Sequence, residues 1–246
     1  GIKTSQTQTG GTNPCQFILG RYATAGYAAA PAMSHGTAGK VPNAWLTYVL
    51  EVADTPVTAL NGLILDGTQV TIGATPHPDY GLPILGDFTD RAWVKLCDGT
   101  QTAANPMLVS KYADYPDRPW SVDMIGRGIA HVILTFRYDR EVFDSLPTVR
   151  MIVDGIRLYD PRLDTSVGGS GAQRWSAPAT WGFSRNPIVM VYNILRGITL
   201  PDGNRWGGDC AAEDLPLGNW IAAMNLCDAE VTLAAGGTVP RYTAGF

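Results

Sequence analysis

Acid/base chemistry on a substrate needs two carboxylates facing each other across a cleft. This chain offers two close groups of them: Asp139 with Glu141, and Asp209 with Glu213 and Asp214. On a strand Asp139 and Glu141 would share a face, but neighbours in sequence rarely straddle a scissile sugar bond. For these groups the spacing favours a solvated edge or a helix start, where negative charge meets the helix dipole, over an acid/base pair. His35, His77 and His131 stand far apart with neither an HxxxH nor a Cys/His spacing, so each is read as a structural or surface histidine and zinc ligation is not expected. Four cysteines, Cys15, Cys97, Cys210 and Cys227, allow three pairings and include no CxxC. A chain of this size does not depend on staples, so buried free thiols are expected, with Cys210 and Cys227 the pair to test. No Gly-x-Ser-x-Gly elbow occurs, and the glycine run at 168–171 lacks the Lys-Ser/Thr of a phosphate loop. The reading therefore assigns no catalytic residue, no cofactor-binding residue and no metal ligand, and expects neither enzyme activity nor a cofactor.

Trp175, Trp181 and Trp206 lie in segments rich in Gly or Pro. Exposed rings there would suit stacking on sugars, which keeps a carbohydrate-binding or cell-wall-degrading module open as the alternative function. The favoured use is anchoring loops and filling subunit interfaces, where Trp and Tyr dominate the binding energy.

The elements that must position these residues are mostly strands. Residues 43–53 alternate, with Leu46, Tyr48, Leu50 and Val52 on one side and Thr47 and Glu51 on the other. Residues 129–138 do so again, with Ala130, Val132, Leu134, Phe136 and Tyr138 opposite His131, Thr135 and Arg137. One wet face predicts antiparallel sheet. Asp66-Gly67 and Asp154-Gly155, each between apolar strands, predict two type I′ hairpins. Each hairpin follows an alternating strand, so the order strand, connector, strand, Asp-Gly, strand occurs twice and reads as a candidate duplication of one meander. Residues 1–14 read as a polar lead-in, 15–22 as a strand and 25–40 as an exposed loop.

Three helices are expected. Asn105 caps a short one with Pro106 at its first position. Asn186 and Pro187 open a second, apolar through Leu195, which Gly197 ends and which must be buried. A third covers residues 216–228 with Leu217, Trp220, Ile221, Met224 and Cys227 on one stripe. The Gly/Ser-rich linker at 163–174 divides a β-rich domain, residues 1–163, from an α+β subdomain, residues 164–246. The expected fold is thus mainly β with a few helices, an antiparallel barrel-like domain followed by a smaller α+β one.

Composition agrees. In 246 residues, 28 Gly and 17 Pro suit a turn-rich strand fold. The net charge is -4 with Lys and Arg scattered singly, which lacks the footprint of a nucleic-acid binder but suits a wall past which DNA slides. No apolar run approaches the roughly 20 residues of a membrane helix, and no basic-then-apolar leader opens the chain, so membrane anchoring is not expected. The start at Gly1 and the strand-like end at 239–246 read as a piece of a longer protein.

Several stretches, in one order, carry a resemblance. VRMIVDGIRLYDPR (149–162) joins a strand, Asp154-Gly155 and the exit Asp160-Pro161-Arg162; FSRNPIVMVYNIL (183–195), WIAAMNLCD (220–228) and TVPRY (238–242) follow it. FILGRYATAG (17–26), FRYDREVF (136–143) and Leu146-Pro147 precede or flank it. Together they resemble the central tail hub of long-tailed bacteriophages, also called the tail-tip attachment or host-specificity protein. The resemblance implies a structural component of the virion, assembled in the bacterial cytoplasm. It implies a homotrimer docked on hexameric tail rings. That ring would join the tail tube or distal tail ring to tape measure, tip and fibre proteins, with DNA passing only transiently through its lumen. A duplicated meander would let three subunits imitate a ring of six. Physical chemistry reads the same residues more plainly: Asp160 before Pro161 is pushed to extended backbone and Pro161 cannot donate to a ladder, so the tripeptide ends a strand in any β protein. For Arg162 a solvated side chain, the more common outcome, is expected over an anchor to a carboxylate. The stretch between Pro161 and Asn186, with its Gly-Ser run and the aromatic patch WSAPATWGF (175–183), is long for the family and is read as particular to this protein.

Overall fold

The computed structural model describes residues 16–143 and 145–246. In chain order the strands are β1 (Arg21–Thr24), β2 (Tyr27–Ala38), β3 (Val41–Ala53), β4 (Ala59–Leu65), β5 (Thr68–Val70), β6 (Leu82–Pro83) and β7 (Ala92–Asp98). Then come β8 (Ala130–Arg137), β9 (Val149–Asp154), β10 (Ile198–Thr199), β11 (Arg205–Trp206), β12 (Glu230–Thr232) and β13 (Thr238–Pro240). The α-helices are α1 (Pro106–Tyr112), α2 (Pro187–Arg196) and α3 (Leu217–Asp228). The protein is therefore mainly β with a few helices. Strands β2-β3-β8-β7-β6 form an antiparallel sheet, β1-β9-β4-β5 a second sheet, and β10/β11 and β12/β13 two-stranded ribbons. The expected barrel does not close: among the described residues the five-stranded sheet ends on β2 and on β6, which do not pair with each other. A β6 of 2 residues and a β2 with repeated register shifts offer no continuous ladder for closure.

Contacts divide the chain into two compact units. The first holds Gln16 and Phe17 with Ala23–Pro56 and Leu60–Ile152; the second holds Ile18–Tyr22, Val57–Ala59 and Val153–Phe246.

In the first unit α1 packs on one face of the five-stranded sheet. Met33, Val49, Trp93 and Ile133 from the sheet and Met107, Leu108 and Tyr112 from α1 share one buried cluster with Tyr80. Asn105 starts α1 as its sequence predicts, its side-chain oxygen accepting the Met107 and Leu108 N–H groups at 3.0 and 3.3 Å. The expected loop at 25–40 is instead the long strand β2. Its small residues show no alternation, but β3 supplies a partner along most of its length. The wet faces also disappear. Thr47 and Val49 are buried in β3 while Leu46, Tyr48 and Leu50 are half-buried, and every residue of β8 from Ala130 to Phe136 is buried. Tyr115 and Trp120, from the chain that follows α1, join the cluster on the expected wet side. Thr47 and Thr135 tolerate burial because their hydroxyls bond each other at 3.2 Å.

One Asp-Gly pair makes the predicted turn and one does not. Asp66 and Gly67 have φ of 47° and 82°, the two positive values of a type I′ hairpin joining β4 to β5. Gly155 is not in that region. After Asp154 the chain runs on beside residues 18–20, with Gly155 N–H on the Gly20 carbonyl and Ile156 N–H on that of Ile18, at 2.8 and 2.9 Å. Glycine is needed there for space, since a Cβ would lie 1.9 Å from the Ile18 oxygen. Asp154 accepts two guanidinium bonds from Arg21, at 2.6 and 2.9 Å. The candidate duplication also takes a different form: β3 and β8 are neighbours in one sheet and β4 and β9 in the other, so the two meanders interleave within the same pair of sheets.

In the second unit α2 and α3 pack together. Asn186 caps α2 through the N–H groups of Ile188 and Val189, at 3.0 and 3.3 Å. The same side chain donates to the Met224 carbonyl of α3 at 2.8 Å, which fixes one helix start against the other helix. Gly197, at φ 87°, ends α2. The helix is not buried all round as expected: Val189, Met190 and Tyr192 are inside with Asn193, whereas Val191 is 41% exposed. On α3 the predicted stripe points inward at Met224 and Cys227. No helix among the described residues is long and apolar enough to cross a membrane.

Candidate functional site

The carboxylates singled out by spacing are not brought together. Asp139 is bound by Arg91, whose hydrogen bond holds the carboxyl below its ordinary range, and Asp139 also accepts the Glu141 N–H. Asp209 pairs with Arg205, and Asp214 accepts the Ala211 N–H at a helical turn, in line with the helix-start reading. The histidines behave differently from their spacing. His35 and His77 meet around Tyr80: the His35 ring lies 3.1 Å from the Tyr80 hydroxyl and 2.8 Å from that of Tyr112, and His77 stacks on Tyr80 at 4.6 Å between centroids. Burial, aided by Lys111, lowers the His35 pKa, so the ring stays neutral, one nitrogen donating and the other accepting. Beside this cluster a cleft of about 540 Å³ is bordered by Lys111, Asp114, Asp117 and Arg118. Among the described residues no three His, Cys, Asp or Glu side chains gather as a metal site. Cys97, Cys210 and Cys227 are free thiols, so Cys210 and Cys227 do not pair; Cys15 lies outside the described residues.

A row of polar residues crosses the α1 face of the sheet in the first unit and was invisible in the sequence. Tyr27, Glu51, His131 and Cys97 are consecutive cross-strand partners on β2, β3, β8 and β7. Burial raises the Cys97 pKa and lowers that of His131, so neither the thiolate nor the imidazolium is favoured. Sequence separation hides such a row, because only strand register reveals it.

In the second unit residues from 159–162, 186–193 and 224–228 interlock. Arg162 forms a fork on Asp160, with its nearest contact at 2.6 Å, and reaches Asp228 at 2.8 Å and Asn225 at 3.0 Å on α3. Asp160 also receives the Arg162 N–H, and its own N–H goes to Gln173 at 2.8 Å. Arg162 is thus an anchor and not the solvated side chain expected, because carboxylates from its own turn and from α3 both reach it. Asn193, fully buried on α2, accepts the Tyr159 N–H at 3.0 Å and donates to the Tyr159 and Val189 carbonyls at 2.7 and 2.8 Å. Tyr159 in turn donates to Asp164 at 2.7 Å. Burial pushes the Asp164 carboxyl up, but bonds from Ser166 and Tyr159 and the charge of Arg174 outweigh it and leave it below its ordinary value.

The tryptophans of this unit are mostly spoken for. Trp175 meets Tyr159 edge-on at 5.4 Å and lies under the Arg196 guanidinium at 4.1 Å, while Trp181 packs on Trp175 and donates to the Arg174 carbonyl. Trp206 is 40% exposed. At the far end β12 and β13 make a ribbon whose cross-strand pair, Val231 and Val239, is exposed, as is Leu233 beside it. Comparison with protein-family models and with curated proteins finds no match for this chain.

Proposed function

We propose that this chain is a structural component of a bacteriophage or prophage tail tip, part of the central hub ring that joins the tail tube or distal tail ring to the tip and attachment apparatus. The observation that carries the reading is the interlocked motif. Asp160, Arg162, Asn186, Asn225 and Asp228, which give the sequence its resemblance to tail hubs, bond to one another or to the backbone of the next helix. Residues used this way hold a shape and leave few free valences for chemistry. Assembly as a homotrimer follows the same reading. The β12/β13 ribbon fits it, because an isolated two-stranded ribbon with exposed valines is marginal alone and gains from a neighbour. Neighbours would be distal tail or tube proteins, the tape measure protein and tip or fibre proteins, with DNA only in transit.

The carbohydrate alternative draws less support, since Trp175 and Trp181 use their rings within the unit. Mass photometry of the full-length protein at micromolar concentration should give trimers; monomers alone would contradict the reading. Incubation with purified cell wall should release neither reducing sugar nor peptide, and release of either would favour the alternative.

A further inference from the structure

A chamber of about 280 Å³ lies on the α1 face of the five-stranded sheet, inside the first unit. Ala30, Val49, Glu51 and His131 line it from the strands, and Trp120 and Met124 from the chain leading into β8. With Met33 also present its walls are largely apolar, and its volume equals that of about nine liquid waters. Glu51 is the acid in it, and Asp54, three residues on, is close enough for its charge to bear on the Glu51 carboxyl. None of the ion pairs among the described residues includes either carboxyl, and Asp54 receives only the neutral Gln16 N–H from a neighbouring segment. Two adjoining carboxyls in a half-buried, apolar setting attract a cation, because one of them otherwise has to keep a proton. The Trp120 indole N–H, on the segment leading into β8, is buried without an acceptor; being a donor, it offers an ammonium ion nothing, and Trp120 meets the ligand only through its ring.

We propose that this chamber binds a primary ammonium ion on a short apolar stem, an alkyl- or arylalkylamine, with its charge on Glu51 and its stem against Met33, Trp120 and Met124. The groups facing Glu51 permit it. Tyr27 on β2 and His131 on β8 are its cross-strand partners, and burial keeps His131 neutral. Arg118 also lines the chamber; its guanidinium is engaged elsewhere, donating to the Ala32 carbonyl at 3.2 Å and lying over the Tyr115 ring. Burial first, and Asp54 second, push the Glu51 pKa up to about 7, so the charge that receives the amine develops across neutral pH. This site stands apart from the tail-hub reading and survives its failure.

The test is calorimetric titration of the full chain with phenethylamine and n-butylamine. Binding is expected at pH 8 and should weaken about tenfold for each pH unit below 7, since the amine keeps its charge while Glu51 loses its own. At pH 8 Glu51→Gln should weaken binding at least about tenfold, and 3-phenylpropionate, with the opposite charge on a similar stem, should not bind. The pH series on the unmodified chain decides the matter even if the variant folds poorly. Equal affinity at pH 5 and pH 8, undiminished binding by a folded Glu51→Gln, equal binding of the propionate, or no heat up to about 10 mM amine would each overturn the proposal.

Discussion

Asn193 is a polar side chain inside an apolar helix, and both its N–H donors and one lone pair of its oxygen are used, on Tyr159 and Val189. Replacing it leaves the buried Tyr159 N–H and carbonyl unpaired, so Asn193→Ala should cost about 2–3 kcal/mol. Urea unfolding would measure this, and a loss below about 0.5 kcal/mol would show that water or rearrangement replaces the bonds. Glu51 makes a pH prediction of the opposite kind. Its folded pKa of about 7 lies above the ordinary 4.5, so its contribution to stability is full below about pH 4.5 and is lost as pH rises through 7. Glu51→Gln should therefore gain thermal stability over the unmodified chain at pH 8 and differ little from it at pH 4.5; an unchanged difference across that range would refute the shift. At this scale the sequence showed local bonds and hid distant ones. Asn105 and Asn186 were legible as caps because they bond two and three residues ahead. The pairing of Asn193 with Tyr159, 34 residues away, left no trace in spacing.

Among elements, the two Asp-Gly pairs show where pattern ends and packing begins. Both have the same residues between apolar runs, yet Asp66-Gly67 turns the chain and Asp154-Gly155 does not, because residues 18–20 compete for the backbone that a hairpin would have used. Alanine should separate them. At Gly67, with open space around its Cβ and φ of 82°, substitution costs about 1 kcal/mol of left-handed strain. At Gly155 it drives a methyl into the Ile18 carbonyl and should cost at least about 3 kcal/mol. Equal unfolding midpoints for the two variants would contradict this account. The same competition explains β2, whose small residues read as a loop until β3 supplied its ladder, and β8, whose predicted wet face lies under Tyr115 and Trp120.

For the whole molecule, the mainly β class was legible from alternation, turn residues and composition, whereas sheet closure was not. Whether a sheet closes depends on its edges, and here one edge is bulged and the other very short. Interleaving of the two meanders was equally hidden, since sequence order says nothing about which strands become neighbours. The functional account depends on a related property, the way copies of this chain meet. On the proposed tail-hub reading the scaffold would work through shape, and the ribbon and the exposed helix residues Val191 and Leu226 would be surfaces for neighbours. Replacing Val231 and Val239 together with lysine should leave the unfolding midpoint within about 1 kcal/mol, because both are solvent-exposed, and should lower the trimer fraction in mass photometry. An unaltered trimer fraction would remove the ribbon from the interface. The most direct measurement is single-particle electron microscopy of the purified full-length protein. The tail-hub account predicts class averages of a threefold ring around an open passage; particles that are uniformly monomeric, or that lack threefold symmetry, would contradict it.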